Sequence, residues 1–321
     1  MLANIKGNVF FAFFTFFAFI FFGSPNSAFA QEIPTGKLLY YSSEEMKFSL
    51  MDVKTKSETK LPLPADAHHP ALSPDGTAIA YIGERDKMFI YHLDSGSEVV
   101  FNNARSHYSS PAFVSNSTIA YLREDREGVQ LFLSPTDKAV ERKWKGKYPT
   151  EQLSSPAIEY LSKSGEDNPM FVMAARNRAS GSKLLMLSSE APKTILVTPT
   201  AGDHLRFPDV SPDGKTIVFS RDIPGGIWAI DISGENLRQL DFKGSWPKYS
   251  SDGQFIAFLT KEAVTRGLAI VNIQTGQEVG RTGGGSLMSI CIMSSDGKSA
   301  FPLLNANSKP LHTRGDNITW R

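Results

Sequence analysis

The sequence predicts an all-β fold made of one antiparallel unit of four strands, repeated along the chain. Three observations carry this reading. A turn phrase, Ser73-Pro74-Asp75-Gly76 in its fullest form, recurs with an apolar strand on either side. Each copy is followed by a further alternating apolar stretch that ends on its own turn, as at residues 88–96 and 227–234. Helical periodicity is essentially absent. Four short antiparallel strands recurring at about 43 residues form one blade of a β-propeller.

The first element in the repeated region is incomplete. Residues 38–41, 48–52 and 59–61 read as strands, but no turn phrase precedes them. Complete or degenerate units start at Pro70, Pro111, Pro156, Pro208, Pro247 and Cys291, spaced 41, 45, 52, 39 and 44 residues apart. In each, a first strand runs to a Ser, the turn reverses the chain, and a second strand returns, as in Ala78-Ile79-Ala80-Tyr81-Ile82. Asp75, Asp213, Asp252 and Asp296 accept backbone hydrogen bonds in such turns, and Gly76, Gly214, Gly253 and Gly297 accept a positive φ. These four carboxylates sit on different units, so they read as turn formers and not as one Ca²⁺ site. Third strands follow at 88–93, 227–232 and 268–273, and fourth strands at positions such as 98–101. Propellers commonly close by completing one blade from both termini, which removes an exposed edge. Asn317-Ile318-Thr319-Trp320 is the candidate for that missing strand, and the count then favours seven blades over six.

Ahead of the repeats, residues 9–22 form a run of fourteen almost wholly apolar residues, nine of them Phe, behind Lys6. Gly23, Ser24 and Pro25 break it, and Ala28 and Ala30 put small residues where a signal peptidase reads them. As a helix the run spans only about 21 Å, short of a bilayer core of about 30 Å. Residues 1–30 are therefore expected to be a signal peptide cut near Ala30. The rest, 31–321, is expected to be a single propeller domain, periplasmic or secreted, without a membrane span.

Composition narrows the function classes. With 34 Lys+Arg against 33 Asp+Glu, the chain lacks the basic surplus of a nucleic-acid binder. The single cysteine, Cys291, excludes an internal disulfide, a CxxC redox pair and a cysteine-rich zinc site. No G-x-S-x-G nucleophile elbow occurs, and Gly214-Lys215-Thr216 and Gly297-Lys298-Ser299 lack the earlier glycine of a phosphate-binding loop.

The phrase around Pro70 and Pro208, with its following Ile-Tyr/Trp-x-x-Asp strand, resembles the TolB-type propeller repeat. The resemblance covers nearly all of the region after residue 36. It implies an extracytoplasmic propeller that binds other proteins and is not itself an enzyme. The α/β domain that precedes the propeller in TolB is expected to be absent, so a role in the Tol system does not carry over.

The candidate site follows from aligning the repeats. The position before the strand proline reads His69, Ser110, Ser155, Phe207, Trp246 and Ile290. His107 and His204 stand four residues before their prolines, and His68 two before Pro70. With Tyr108, Asp203 and Arg206, these residues gather on loops at one mouth of the central channel. Histidine, arginine and aromatic side chains together suit a peptide or an acidic ligand. Clustered imidazoles also suit Zn, Cu or Ni, and ordinary polar loop residues around a water-filled mouth give the same pattern. The resulting expectation is a protein- or peptide-binding scaffold with no cofactor and no catalytic residue. The alternative is a metal-assisted hydrolase or lyase with its site at the same mouth.

Overall fold

The computed structural model describes residues 34–102, 106–126, 128–145, 158–164, 169–177, 181–188, 193–198, 202–241, 243–261, 268–271, 278–282, 288–298 and 300–321. The apolar N-terminal run, the cleavage site expected near Ala30, and Ser155 with Pro156 lie outside these residues. Among the described residues there is no α-helix, only one 3₁₀ turn at Glu84–Asp86, and no helix is long and apolar enough to cross a membrane.

Four sheets have the expected four-stranded antiparallel order, one unit each. Blade I holds His68–Leu72, Ala78–Ile82, Met88–His92 and Glu98–Phe101. Blade II holds His107–Ser115, Thr118–Asp125, Gly128–Pro135 and Arg142–Lys143. Blade III holds Ile158–Ser164, Met170–Asn177, Gly181–Leu187 and Lys193–Val197. Blade IV holds Leu205–Val210, Thr216–Arg221, Ile227–Asp231 and Arg238–Asp241. The first strands of successive blades are neighbours, so these sheets follow one another around a ring.

Among the described residues, eight further strands join one larger sheet with two halves. One half contains Gly244–Tyr249, Phe255–Lys261, Met288–Ser294 and Ala300–Pro302. The closing half contains His312–Trp320, Lys37–Ser42, Lys47–Asp52 and Glu58–Lys60. Among the described residues, Met288↔Thr313 and Ser289↔His312 pair the halves to each other, and the Ile290 N–H donates to the Leu311 carbonyl at 3.0 Å beside them. The C-terminal strand does complete the N-terminal partial unit: Leu38, Leu39 and Tyr40 pair with Trp320, Thr319 and Ile318.

The unit at Cys291 departs from the repeat reading. Met288–Ser294 is not the first strand of a new blade; it pairs along its whole length with Phe255–Lys261. Leu268–Val271, expected to be that partner, pairs instead with Glu278–Thr282 in a separate two-stranded sheet. Met288–Ser294 can take the interior place because it is apolar on both faces. Ile290 and Ile292 pack into one core cluster, and Met293 with Cys291 into another.

Buried apolar side chains fall into six clusters among the described residues, each between two adjoining sheets or sheet halves. A strand buried on both faces reads as a continuous apolar run, which is why Ala78–Ile82 is buried at every position.

The turns are near-identical copies of one hydrogen-bonded device. Ser73, Ser211, Ser250 and Ser294 donate Oγ–H to Oδ1 of Asp75, Asp213, Asp252 and Asp296 at 2.6, 2.6, 2.5 and 2.7 Å. The same Oδ1 accepts a backbone N–H two residues on, from Thr77, Lys215, Gln254 and Lys298. The following glycines have φ of 69°, 72°, 72° and 76°, where a side chain would be strained. At Asp75, partial burial is outweighed by the Ser73 and Thr77 hydrogen bonds, so its carboxyl is held below the usual range. At Asp213 the Ser211 bond, and at Asp296 the Lys298 bond, act in the same direction. A depressed carboxyl adds stability that is present above its unfolded pKa of about 3.9 and is lost as pH falls through the folded value. Urea unfolding is therefore expected to show a fall in stability from pH 5 to pH 2, and Ser73→Ala/Ser211→Ala is expected to flatten it. An unchanged slope in that variant would count against the turn carboxylates as its source.

Candidate functional site

The first strands carry a shared irregularity that positions the site. Pairing with the second strand slips between His68 and Ala71, Ser109 and Ala112, Arg206 and Asp209, and Ser245 and Lys248. Within each slip one residue has positive φ: His69 at 49°, Ser110 at 51°, Phe207 at 52° and Trp246 at 59°. Every one of them precedes a proline, a position at which extended backbone is favoured. A β-bulge re-aims the side chain of the residue it displaces. Here it turns equivalent side chains of different blades toward one another.

His69 comes from blade I, Phe207 from blade IV and Trp246 from the half that follows blade IV. The rings of His69 and Trp246 are 6.5 Å apart by centroid, and those of Phe207 and Trp246 are 3.4 Å apart. The first strands that carry His69 and Trp246 are separated by the closing strand His312–Trp320, which neighbours both. The His69–Trp246 contact therefore spans the inner edge of that closing strand, and Trp246 with Phe207 also packs into the core cluster between the two halves of the larger sheet. Trp246 is buried, whereas His69 and Phe207 are half-buried. His68 extends this group, its ring 5.2 Å from that of His69, with its Nδ1 3.1 Å from the Asp66 carbonyl.

Charged residues stand at the same end, on strand starts and on the loops between second and third strands. The exposed His107 places Nδ1 2.7 Å from Oδ2 of Asp86, which joins blade II to blade I. Arg206 donates to Asp222 at 3.3 Å. Below them Asp203, 1% exposed, accepts two hydrogen bonds from Arg221 at 3.0 and 2.8 Å and a third from the Ile223 N–H. The guanidinium also lies over the Trp228 ring, 5.0 Å from its centroid. Chemically the mouth offers an aromatic and imidazole floor with paired acids and bases around it.

Two solved structures share this architecture. The crystal structure of TolB from Acinetobacter baumannii aligns with a TM-score of 0.63 at 15% identity, over 90% of this chain and 67% of that one. The structure of putative TolB from Agrobacterium tumefaciens aligns with a TM-score of 0.58, also at 15% identity, over 90% of this chain and 99% of that one. The fold is a TolB-type β-propeller. No family model and no curated protein sequence matches the chain.

On this TolB-type ring the residues selected from sequence separate into groups. His68, His69 and Trp246 are brought into ring contact, and Arg206 and His107 stand at the same end. His204 is half-buried, its Nδ1 3.4 Å from the Ser182 hydroxyl. Tyr108 does not face the mouth. It is 3% exposed in the core between blades I and II, and its hydroxyl donates to Glu141 at 2.8 Å. Ile290, aligned by the repeat with Trp246, is fully buried in regular pairing with Leu259. The aspartates and glycines of the turns lie at the other ends of the first strands.

Sequence reasoning missed Asp86, Arg221 and Asp222, because nothing in the repeat marks a loop residue for pairing across the fold. It also missed a device between second and fourth strands. Tyr40, Tyr81 and Tyr121, buried and each turned toward the preceding sheet, donate to Glu58, Glu98 and Glu141. Burial first, and then the neighbouring carboxylate, pushes all three phenols well above their usual range, so they remain donors at any physiological pH.

Proposed function

We propose that this chain is a scaffold outside the cytoplasm, exported by its N-terminal segment and cut near Ala30, which docks a protein or peptide at the mouth formed by His68, His69, His107, His204, Arg206 and Trp246. The supporting observation is the set of positive-φ residues before proline at His69, Ser110, Phe207 and Trp246. Sparsely populated backbone costs about 1–3 kcal/mol per residue and persists where the surrounding structure over-determines it, most often at binding sites. At His69, Phe207 and Trp246 the strain accompanies ring contacts between side chains of separate blades. An apolar, aromatic centre inside a polar rim has the anatomy of a docking surface. The same reading takes the ring as six blades, supported by the six core clusters and by the bulge-free Met288–Ser294.

The test is photo-crosslinking in intact envelopes from position 107 or 206, with the exposed position 95, between the third and fourth strands of blade I, as control at the opposite end. Discrete adducts from the mouth positions, lost in His69→Ala/Trp246→Ala and absent from the control, are the expected result. Equal labelling from both ends would sink the docking assignment. About one Zn, Cu or Ni per purified chain, lost in His68→Ala/His69→Ala, would move the reading to a metal-assisted hydrolase or lyase.

A further inference from the structure

At the end opposite the mouth, two adjacent turns enclose a cleft of about 230 Å³ between blade IV and the half that follows it. Its lining includes Asp213, Asp252, Arg238, Tyr249 and Ser295. Each carboxylate uses Oδ1 to hold its own turn. Among the described residues Oδ2 of Asp252 accepts no hydrogen bond, and Oδ2 of Asp213 meets only the exposed Lys215 ammonium, at 3.7 Å. The hydrogen bonds from Ser211 and Lys215 keep Asp213 ionised well below neutral pH.

The cation in the lining, Arg238, has its nearest polar contacts within its own blade. Arg238 donates to the Asn236 carbonyl at 3.4 Å and lies 3.9 Å from Oδ1 of Asp231. Tyr249 supplies an observation independent of the acids. It is 3% exposed, it lines the cleft, and among the described residues its hydroxyl has no hydrogen-bond partner. Its backbone N–H donates to the buried Asp209 at 2.8 Å, and its ring packs in the core cluster between blade IV and the half that follows it. Burial and the Asp209 charge keep the phenol protonated, so the hydroxyl can both accept and donate.

We propose that this cleft receives an arginine side chain of a partner polypeptide, its guanidinium bridging the Oδ2 atoms of Asp213 and Asp252 and meeting the Tyr249 hydroxyl. Size and donor set favour this over a bare metal ion. Ca²⁺ takes six to eight oxygens at about 2.3–2.6 Å, and no group of three or more acidic, histidine or cysteine side chains is gathered among the described residues. A planar guanidinium instead presents five donors in a fork that suits two carboxylates at once. The proposal is independent of the mouth, since none of these residues belongs to it.

The test uses the ¹⁵N-labelled chain from residue 31, titrated with N-acetyl-arginine amide, its neutral citrulline counterpart, and Ca²⁺. Single side-chain ligands bind weakly, so titration runs to about 10 mM. Saturable shifts at Gly253 and Ser295 are expected with arginine amide, and none with citrulline amide. Asp252→Asn, which retains the turn acceptor, and Tyr249→Phe, which retains the packing, are each expected to weaken binding at least about tenfold, near the lower end of a lost charged hydrogen bond. The proposal is overturned by no shift with arginine amide, by equal shifts with citrulline amide, by unchanged affinity in both variants, or by Ca²⁺ saturating the site in place of arginine amide.

Discussion

Trp320→Ala is expected to destabilise the propeller by about 3–5 kcal/mol, the range for truncating a fully buried large aromatic side chain. Trp320 is 0% exposed at the seam where the closing strand meets Lys37–Ser42. Its indole Nε1 donates to the Thr35 carbonyl at 3.0 Å, across 285 positions of sequence. Backbone pairing runs beside it, with Arg321 N–H donating to the Lys37 carbonyl at 3.0 Å and Lys37 N–H donating back to Arg321. A domain of ordinary stability holds about 5–15 kcal/mol, so this one residue accounts for a large part of the total.

Deleting residues 317–321 goes further, because it exposes the edge of Lys37–Ser42 and opens the ring. A soluble, cooperatively folded monomer is not expected from that deletion. Gly36→Ala reports on the same seam from the other side. Gly36 has φ of 103°, and an added Cβ would lie 2.5 Å from the Arg321 carbonyl oxygen. Urea unfolding followed by near-ultraviolet circular dichroism measures all three. A Trp320→Ala loss below about 1 kcal/mol would mean that the seam contributes little to closure. Joining such distant segments also places the closing pairs among the most non-local in the chain, which predicts slow folding.

The repeat was legible because its turn chemistry is local. Ser, Asp and Gly at fixed offsets specify a hydrogen-bond pattern and a positive φ whatever surrounds them. The closing strand was legible for a related reason, since a unit lacking its first strand implies a donor elsewhere. The order of strands around residues 255–294 was not. Apolar runs at 268–271 and 288–294 serve equally well as the neighbour of Phe255–Lys261, and the choice depends on how two core clusters are filled. Alignment also placed His69, Phe207 and Trp246 at one repeat position, but the proline after each argued for extended backbone. Only the bulge, a tertiary feature, turns their side chains inward. Tyr108 shows the reverse error. It stands beside His107 in sequence, yet successive residues of a strand face opposite ways, and one of the two had to enter the core.

The Asp203–Arg221 pair is expected to carry the second large effect. Asp203 is 1% exposed and its partner's side chain is 15% exposed, so breaking the pair leaves a poorly solvated charge. Removing one member of a buried pair costs about 3–5 kcal/mol, and that loss is expected in Asp203→Ala. Asp203→Asn, which keeps acceptor capacity for Arg221 and Ile223, is expected to lose about half as much. Arg221→Met in the Asp203→Ala background should recover part of the loss, since it removes the stranded charge. A double-mutant cycle by urea unfolding gives the coupling directly, and a coupling below about 0.5 kcal/mol would rule out the pair as a stabilising element. The pair also has a consequence at the mouth. Oδ1 of Asp203 holds the Ile223 N–H, one residue after Asp222, and Asp222 in turn holds Arg206. Hydrogen exchange at residues 222–226 should therefore accelerate in Asp203→Ala well before global unfolding. Adducts from position 206 should fall at the same time, while those from position 107, anchored by Asp86 on blade I, should persist. Loss of both together would mean that the mouth opens as one cooperative unit, without separate supports on its two sides.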